Sequence, residues 1–268
     1  SNIAIGQSAM GNAKQNGVAG SVNREIKENI AIGKSTLSGG TLAGTDDLIG
    51  NIAIGHEAMI TTGVNAQTGT IAIGHSALTA LTTGAGNMAV GYQAMLTHTA
   101  GARNMAIGYG AMNDTDATAA ADGGVGGSAG TLASVDNVFI GYDSGGGTWA
   151  GSDSNTNVAI GNYSMDAAMD GALNNTAVGH SSLSAITTGG GNVSIGRRSS
   201  SALSTGGTNV AIGNDCLYGG DVNHCVVIGA DACQAVQTQD GTVAIGKSAL
   251  KALTSGAKNI AIGYNSML

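Results

Sequence analysis

Thr70-Ile71-Ala72-Ile73-Gly74-His75-Ser76-Ala77-Leu78 carries the reading of the whole chain, because its pattern returns after seventeen residues at Asn87-Met88-Ala89-Val90-Gly91 and after seventeen more at Asn104-Met105-Ala106-Ile107-Gly108. The same five-residue pattern opens at Asn2, Asn29, Asn51, Thr70, Asn87, Asn104 and Asn137. It opens again at Asn157, Asn175, Asn192, Asn209, Cys225, Thr242 and Asn259, which makes fourteen copies. Gly closes every copy, Asn opens eleven, and the residue before the Gly is always Ile or Val. A second Gly often follows ten residues after the first, at Gly84, Gly101, Gly189, Gly206 and Gly256. A fixed short period of this kind marks a solenoid in which each repeat forms one coil.

Each unit reads as a strand, a turn, a second short strand and a turn. The fold class expected is all-β: a parallel β-solenoid of about fourteen coils, with residues 1–268 forming a single repeat array. At about 4.8 Å per coil it would span on the order of 65 Å. Within the pentad the side chains alternate, so the two aliphatics share one face and the central Ala takes the other. The aliphatics are expected to fill the coil, met by the Leu or Met four residues after the Gly. The Asn positions are expected to stack as an amide ladder.

The central position is Ala in eleven copies: Ala4, Ala31, Ala53, Ala72, Ala89, Ala106, Ala159, Ala177, Ala211, Ala244 and Ala261. An open strand face would tolerate Thr, Lys or Glu. Enforced small size suggests a second backbone nearby, so this column is expected to be the subunit contact of an obligate oligomer. Ser194 keeps the rule, while Phe139 and Val227 break it; at Phe139 the subunits would splay or the ring would plug a wider axis.

Composition excludes several classes. Charged residues are 10% of the chain, there is no Pro, and the net charge is −7. Collagen needs Pro and a strict Gly-X-Y period. A basic footprint for nucleic acid is absent. No apolar run approaches the roughly 20 residues of a membrane span. With 42% hydrophobic residues the chain is not a disordered polymer. Cys216, Cys225 and Cys233 are an odd number and read as small buried side chains. The array opens on a motif Asn and shows no polar cap, which reads as a segment of a longer fibre.

The Asn-x-Ala-Ile-Gly-x-x-Ala/Ser units at Gly6, Gly55, Gly74, Gly179, Gly246 and Gly263 resemble the head repeats of YadA-like trimeric autotransporter adhesins and, at least as closely, repeats of phage tail fibres. The adhesin repeats are shorter, and the Ala77–Gly84 tail looks more like viral fibres. The resemblance covers essentially the whole chain. It implies a left-handed β-roll assembled as a homotrimer, extracellular, on a virion tail fibre or alternatively on a bacterial outer surface. The implied role is a structural fibre protein that mediates or supports host-cell attachment through a cell-surface glycan or protein receptor.

Candidate receptor-binding residues follow from the position after each Gly. His56, His75, Tyr92, Tyr109 and Tyr142 put five rings on consecutive repeats, a stripe that could stack on sugar rings. Four longer segments, 11–28, 38–50, 113–136 and 144–156, read as inserted loops, and the last carries the only Trp, Trp149, a possible binding anchor. Ligand spacings for a metal are missing, and neither a metal nor a cofactor is expected. Asp46-Asp47 and Asp114/Asp116 could be the carboxylate pairs of a polysaccharide-degrading tailspike, but both sit among turn residues, so no enzyme is expected.

Overall fold

A computed structural model describes residues 1–11, 25–39, 47–61, 67–115, 133–149, 151–235 and 240–267. Those residues contain short strands and turns and no helix, and the strands pair in parallel as in a β-solenoid. The chain divides into two compact units. The first comprises 1–137 with 148–151, and the second 138–147 with 152–268.

In the first unit, β1 (Ile3–Ile5), β3 (Ile30–Ile32), β5 (Ile52–Ile54), β7 (Ile71–Ile73), β8 (Met88–Val90) and β9 (Met105–Ile107) stack in chain order. Between them lie β2 (Ile26–Lys27), β4 (Leu48–Ile49) and β6 (Gln67–Thr68), which form a second parallel sheet. The second unit stacks β10 (Val138–Ile140), β11 (Val158–Ile160), β12 (Thr176–Val178), β13 (Val193–Ile195), β14 (Val210–Ile212), β15 (Val226–Ile228), β16 (Val243–Ile245) and β17 (Ile260–Ile262). Register does not slip: Ala53 lies opposite Ala72, Ala72 opposite Ala89, and Ala159 opposite Ala177. Among the described residues, the second strand expected in every repeat is therefore present only as the two-residue pieces β2, β4 and β6.

The expected facing is reversed. Ala31, Ala53, Ala72, Ala89, Ala106, Ala159, Ala177, Ala211 and Ala244 are completely buried and Ala261 nearly so; Ala4, on the first strand, is exposed. The flanking Ile and Val residues are half-buried or exposed, as at Ile73 (37% exposed), Ile160 (40%) and Ile195 (38%). Alanine is thus small because the opposite wall of its own coil is close, not because a second subunit lies against it. That wall consists of the residues three and four after the Gly, such as Ala77 with Leu78 and Ala94 with Met95, all fully buried.

The two exceptions support this placement. Phe139 is fully buried, and the position four after its Gly, Leu or Met in every other copy except at Ser200 and Cys233, is Gly145. A Cβ on Gly145 would fall against ring atoms Cδ1 and Cε1 of Phe139. The ring occupies the volume that Leu or Met fills in other coils, so it neither splays subunits nor plugs an intersubunit axis. Val227 is likewise buried, and its facing residue is the smaller Cys233. Close packing inside a narrow coil requires such compensation. At Ser194 the rung is polar: the Ser182 hydroxyl donates to Ser194 Oγ at 2.9 Å, and Ser194 donates to the Ser199 carbonyl at 2.8 Å.

The turn after each Gly has its own periodicity. The second and fourth residues take left-handed backbone angles, with φ of 55° at Ser76 and 50° at Leu78. The alternation sends their N–H groups in opposite directions along the stack. Ser76 N–H donates to His56 carbonyl (2.9 Å), and Leu78 N–H donates to Ala94 carbonyl (3.0 Å). Left-handed geometry costs an L-residue roughly 1–2 kcal/mol. Here each such residue closes a rung to a neighbouring coil. The motif Gly packs tighter still: a Cβ on Gly91 would collide with the Gly108 carbonyl.

The asparagine ladder runs inside the coils. Asn192 Oδ1 accepts from Asn209 N–H and from its Nδ2, both at 3.0 Å, and Asn192 Nδ2 donates to Asn175 Oδ1 (3.0 Å) and across the coil to Gly206 carbonyl (2.9 Å). Asn29, Asn51, Asn104 and Asn175 repeat this arrangement. Thr70 and Cys225 end a run, each donating only its backbone N–H, to Asn51 Oδ1 and Asn209 Oδ1 respectively.

Candidate functional site

The residue after each motif Gly sits at the start of the left-handed turn, with its side chain at the coil edge. In the first unit this places His56, His75, Tyr92 and Tyr109 one above another. Ring centroids are 4.9, 5.2 and 4.9 Å apart in that order, and the interplanar angle falls from 29° to 22° to 13°. The spacing follows from the rise of the coils, since in-register strands lie about 4.8 Å apart. Tyr92 and Tyr109 remain 42% and 51% exposed. Each ring lies against the next, so face-stacking on sugars, as expected for this stripe, is not what these four rings offer between one another. They present edges: phenol hydroxyls and imidazole rims.

In the second unit Tyr142 heads a different arrangement. Its neighbour is Tyr163, two residues after Gly161, at 5.3 Å and 67°, followed by His180 at 5.6 Å and 67°. Asn162 holds the position after the Gly and accepts the Tyr142 backbone N–H through Oδ1 at 3.0 Å. Sequence reading missed Tyr163 because it lies outside the column; its left-handed φ of 56° swings it towards the neighbours' rings.

A polar cluster continues on the following coils and was also not anticipated. Arg197 donates from Nε to Asn214 Oδ1 (2.9 Å) and from Nη2 to Asp215 Oδ2 (3.0 Å), and Arg198 donates from Nε to Asp215 Oδ1 (2.6 Å). The Arg198 guanidinium lies 5.4 Å from the Tyr218 ring centroid. Burial opposes ionisation of Asp215. Its bond to Arg198, the charges of Arg198 and Arg197, and the Asn214 amide override that, holding the carboxyl below the usual carboxylate range. The signal in the sequence was the pair Arg197-Arg198 standing seventeen residues before Asn214-Asp215, one coil apart.

No family model, curated protein or solved structure matches this chain.

The remaining candidates resolve as follows. Trp149 is 1% exposed, with its backbone N–H donating to Asp114 carbonyl at 3.1 Å, so it packs inside rather than standing out as an anchor. The segment 144–156 is not a projecting loop at its end: Gly171 N–H donates to Ser152 carbonyl and Asn174 N–H to Asn155 carbonyl, both at 3.1 Å, along the next coil. Most of the other three inserted segments lie outside the described residues, as do Asp46 and Asp116. Asp47 accepts the Glu25 backbone N–H at 2.8 Å, and Asp114 accepts the Thr148 hydroxyl.

His56 and His75 stack one coil apart, and His56 Nε2 stands 3.8 Å from Glu57 Oε1. Among the described residues no group of three or more His, Cys, Asp or Glu side chains could hold a metal ion, and no helix is long and apolar enough to cross a membrane. Cys216, Cys225 and Cys233 are buried and form no disulfide. Burial, reinforced by Cys225 and Cys216, pushes the Cys233 thiol up to about 12.

Proposed function

We propose that the chain is a structural fibre protein, a trimeric β-solenoid section of a phage or virus tail fibre that supports host-cell attachment outside the cell. The observation that carries this reading is the pair of outward aliphatic columns. The residue one before each motif Gly is always Ile or Val, and the residue three before is Ile or Val except at Met88, Met105 and Thr176; these side chains stay partly uncovered on coil after coil, including Ile73, Ile160 and Ile195. Long contiguous apolar surfaces on a soluble chain mark an association face. The subunit contact thus moves from the alanine column to the Ile/Val columns that flank it.

Trimeric state and left-handedness rest on the resemblance of the pentads to adhesin and tail-fibre repeats, and the fourteen coils on the fourteen copies of the pentad. Attachment to a glycan or protein receptor then falls to the coil edges, where the hydroxyls of Tyr92 and Tyr109 and the Arg197/Arg198 cluster offer hydrogen-bonding groups to solvent. Light scattering on the purified chain tests the assembly. A particle three times the 26.0 kDa chain mass is expected, and a monomer at all concentrations would overturn the reading.

A further inference from the structure

We propose that Tyr92 and Tyr109 form an oxidative cross-linking site, at which a one-electron oxidant joins the two rings as an intrachain dityrosine between adjacent coils. Three observations converge on this pair. The rings are the most nearly parallel of the ladder, 4.9 Å apart and inclined by 13°. Both are about half exposed, so each can be reached by an oxidant and can rotate outwards. The backbone fixes their register from both sides: Gly108 N–H donates to Val90 carbonyl (2.8 Å), and Gly110 N–H donates to Tyr92 carbonyl (3.0 Å). Two phenoxyl radicals formed there are already neighbours, and proximity of this kind replaces a bimolecular encounter.

The chemistry balances with the oxidant as the sole co-reactant. Each phenol gives up one electron to the oxidant and its hydroxyl proton to solvent. The two phenoxyl radicals couple through a carbon ortho to each oxygen, forming one C–C bond. The hydrogen on each coupled carbon then moves to its oxygen, restoring both aromatic rings. Two tyrosines thus lose two hydrogens in total, and two equivalents of one-electron oxidant are reduced. A haem peroxidase turning over one hydrogen peroxide to two waters supplies the same two equivalents.

Other residues compete poorly. Tyr142 and Tyr163 meet edge to face at 67°, and Tyr218 sits against Arg198. The three cysteines are buried, with thiols pushed up mainly by burial, which keeps them protonated and less readily oxidised. The described cysteines supply no disulfide, so a dityrosine would be a covalent staple between coils. It would close a loop of seventeen residues and restrain the unfolded chain as other cross-links do.

The intact chain is treated with horseradish peroxidase and hydrogen peroxide, then digested with trypsin. Arg103 separates the two tyrosines, so they fall on different peptides. The expected product is those two peptides joined, lighter than their sum by two hydrogens, with dityrosine fluorescence. Its yield should be independent of protein concentration and fall at least tenfold in Tyr109→Phe, which keeps the stacked ring, and in urea-unfolded chain. A mixture of isotopically heavy and light chains should give no heavy–light product. A heavy–light link, a main product at Tyr142, Tyr218 or Tyr264, or undiminished cross-linking in Tyr109→Phe would each overturn the assignment. None of these readings depends on whether the chain is a trimer.

Discussion

Replacing Phe139 by Ala and Gly145 by Leu, singly and together, tests the central structural assignment, that the middle residue of each pentad points into its own coil. Phe139→Ala alone deletes a fully buried ring and leaves its volume empty. Core Phe→Ala changes cost about 3–5 kcal/mol. At roughly 2–4 °C per kcal/mol for a domain of this size, the melting temperature of the coils around β10 should fall by roughly 6–20 °C. Gly145→Leu alone drives a side chain into the Phe139 ring, whose atoms already stand where its Cβ would be. Overpacking of this kind costs about 1–3 kcal/mol, and more where the backbone cannot yield.

The double variant recreates the rung seen at Ala72 with Leu78 and at Ala177 with Leu183, where both partners are fully buried. Backbone strain does not prevent it, because φ at Gly145 is 65° and Leu183 adopts 50° at the equivalent place. The coupling between the two changes should therefore be favourable by about 3 kcal/mol, at the upper end of measured values for touching residues. Urea unfolding followed by circular dichroism measures all four corners of the cycle. Additive effects, or a Phe139→Ala variant as stable as the parent, would refute the inward placement.

Three further outcomes follow from the same geometry. Asn192→Ala strands the Asn209 backbone N–H, one Asn209 amide hydrogen and the Gly206 carbonyl, and should destabilise the second unit by about 2–5 kcal/mol in a denaturant melt. Ile195→Arg should dissociate the proposed oligomer while leaving the far-ultraviolet spectrum unchanged, whereas Ala106→Arg, at a fully buried site, should unfold its coils; gel filtration with circular dichroism separates the two behaviours. Asp215 has a depressed folded carboxyl, so its contribution is present above the unfolded value near pH 4 and is lost as pH falls through the lower folded value. Asp215→Asn should flatten that acid limb in a pH series of melts.

Much of the fold was legible because it is written in repetition. The strands, their parallel register and the asparagine ladder all follow from a pattern that returns with the same residues in the same order. The facing was not legible, for a definite reason. Alternation shows that Ile71 and Ala72 point opposite ways without showing which is inside, and hydrophobicity argues for the isoleucine. Coil width decides the matter. The wall bearing Ala77 and Leu78 comes so close that only a small residue fits opposite it. The clue was available in Phe139 paired with Gly145 and Val227 paired with Cys233, a trade of volume within single repeats. The ring column was legible as far as its members went. What spacing could not show is how the rings meet: His56, His75, Tyr92 and Tyr109 stack face to face, whereas Tyr142, Tyr163 and His180 meet edge to face.

The same dimensions bear on what can cover the aliphatic columns. Most strands turn one Ala inward and two mainly aliphatic side chains outward, with Met88, Met105 and Thr176 among the latter, so the face is a double row whose axial spacing is the coil rise itself. A partner with any other repeat would fall out of step after a few coils and leave part of the rows uncovered. A second copy in parallel register has the same rise within each unit, because strands on either side of a lengthened repeat stay paired in register there, as β1 with β3, β3 with β5 and β10 with β11 do. The self-association proposed above would therefore bury the rows along each unit.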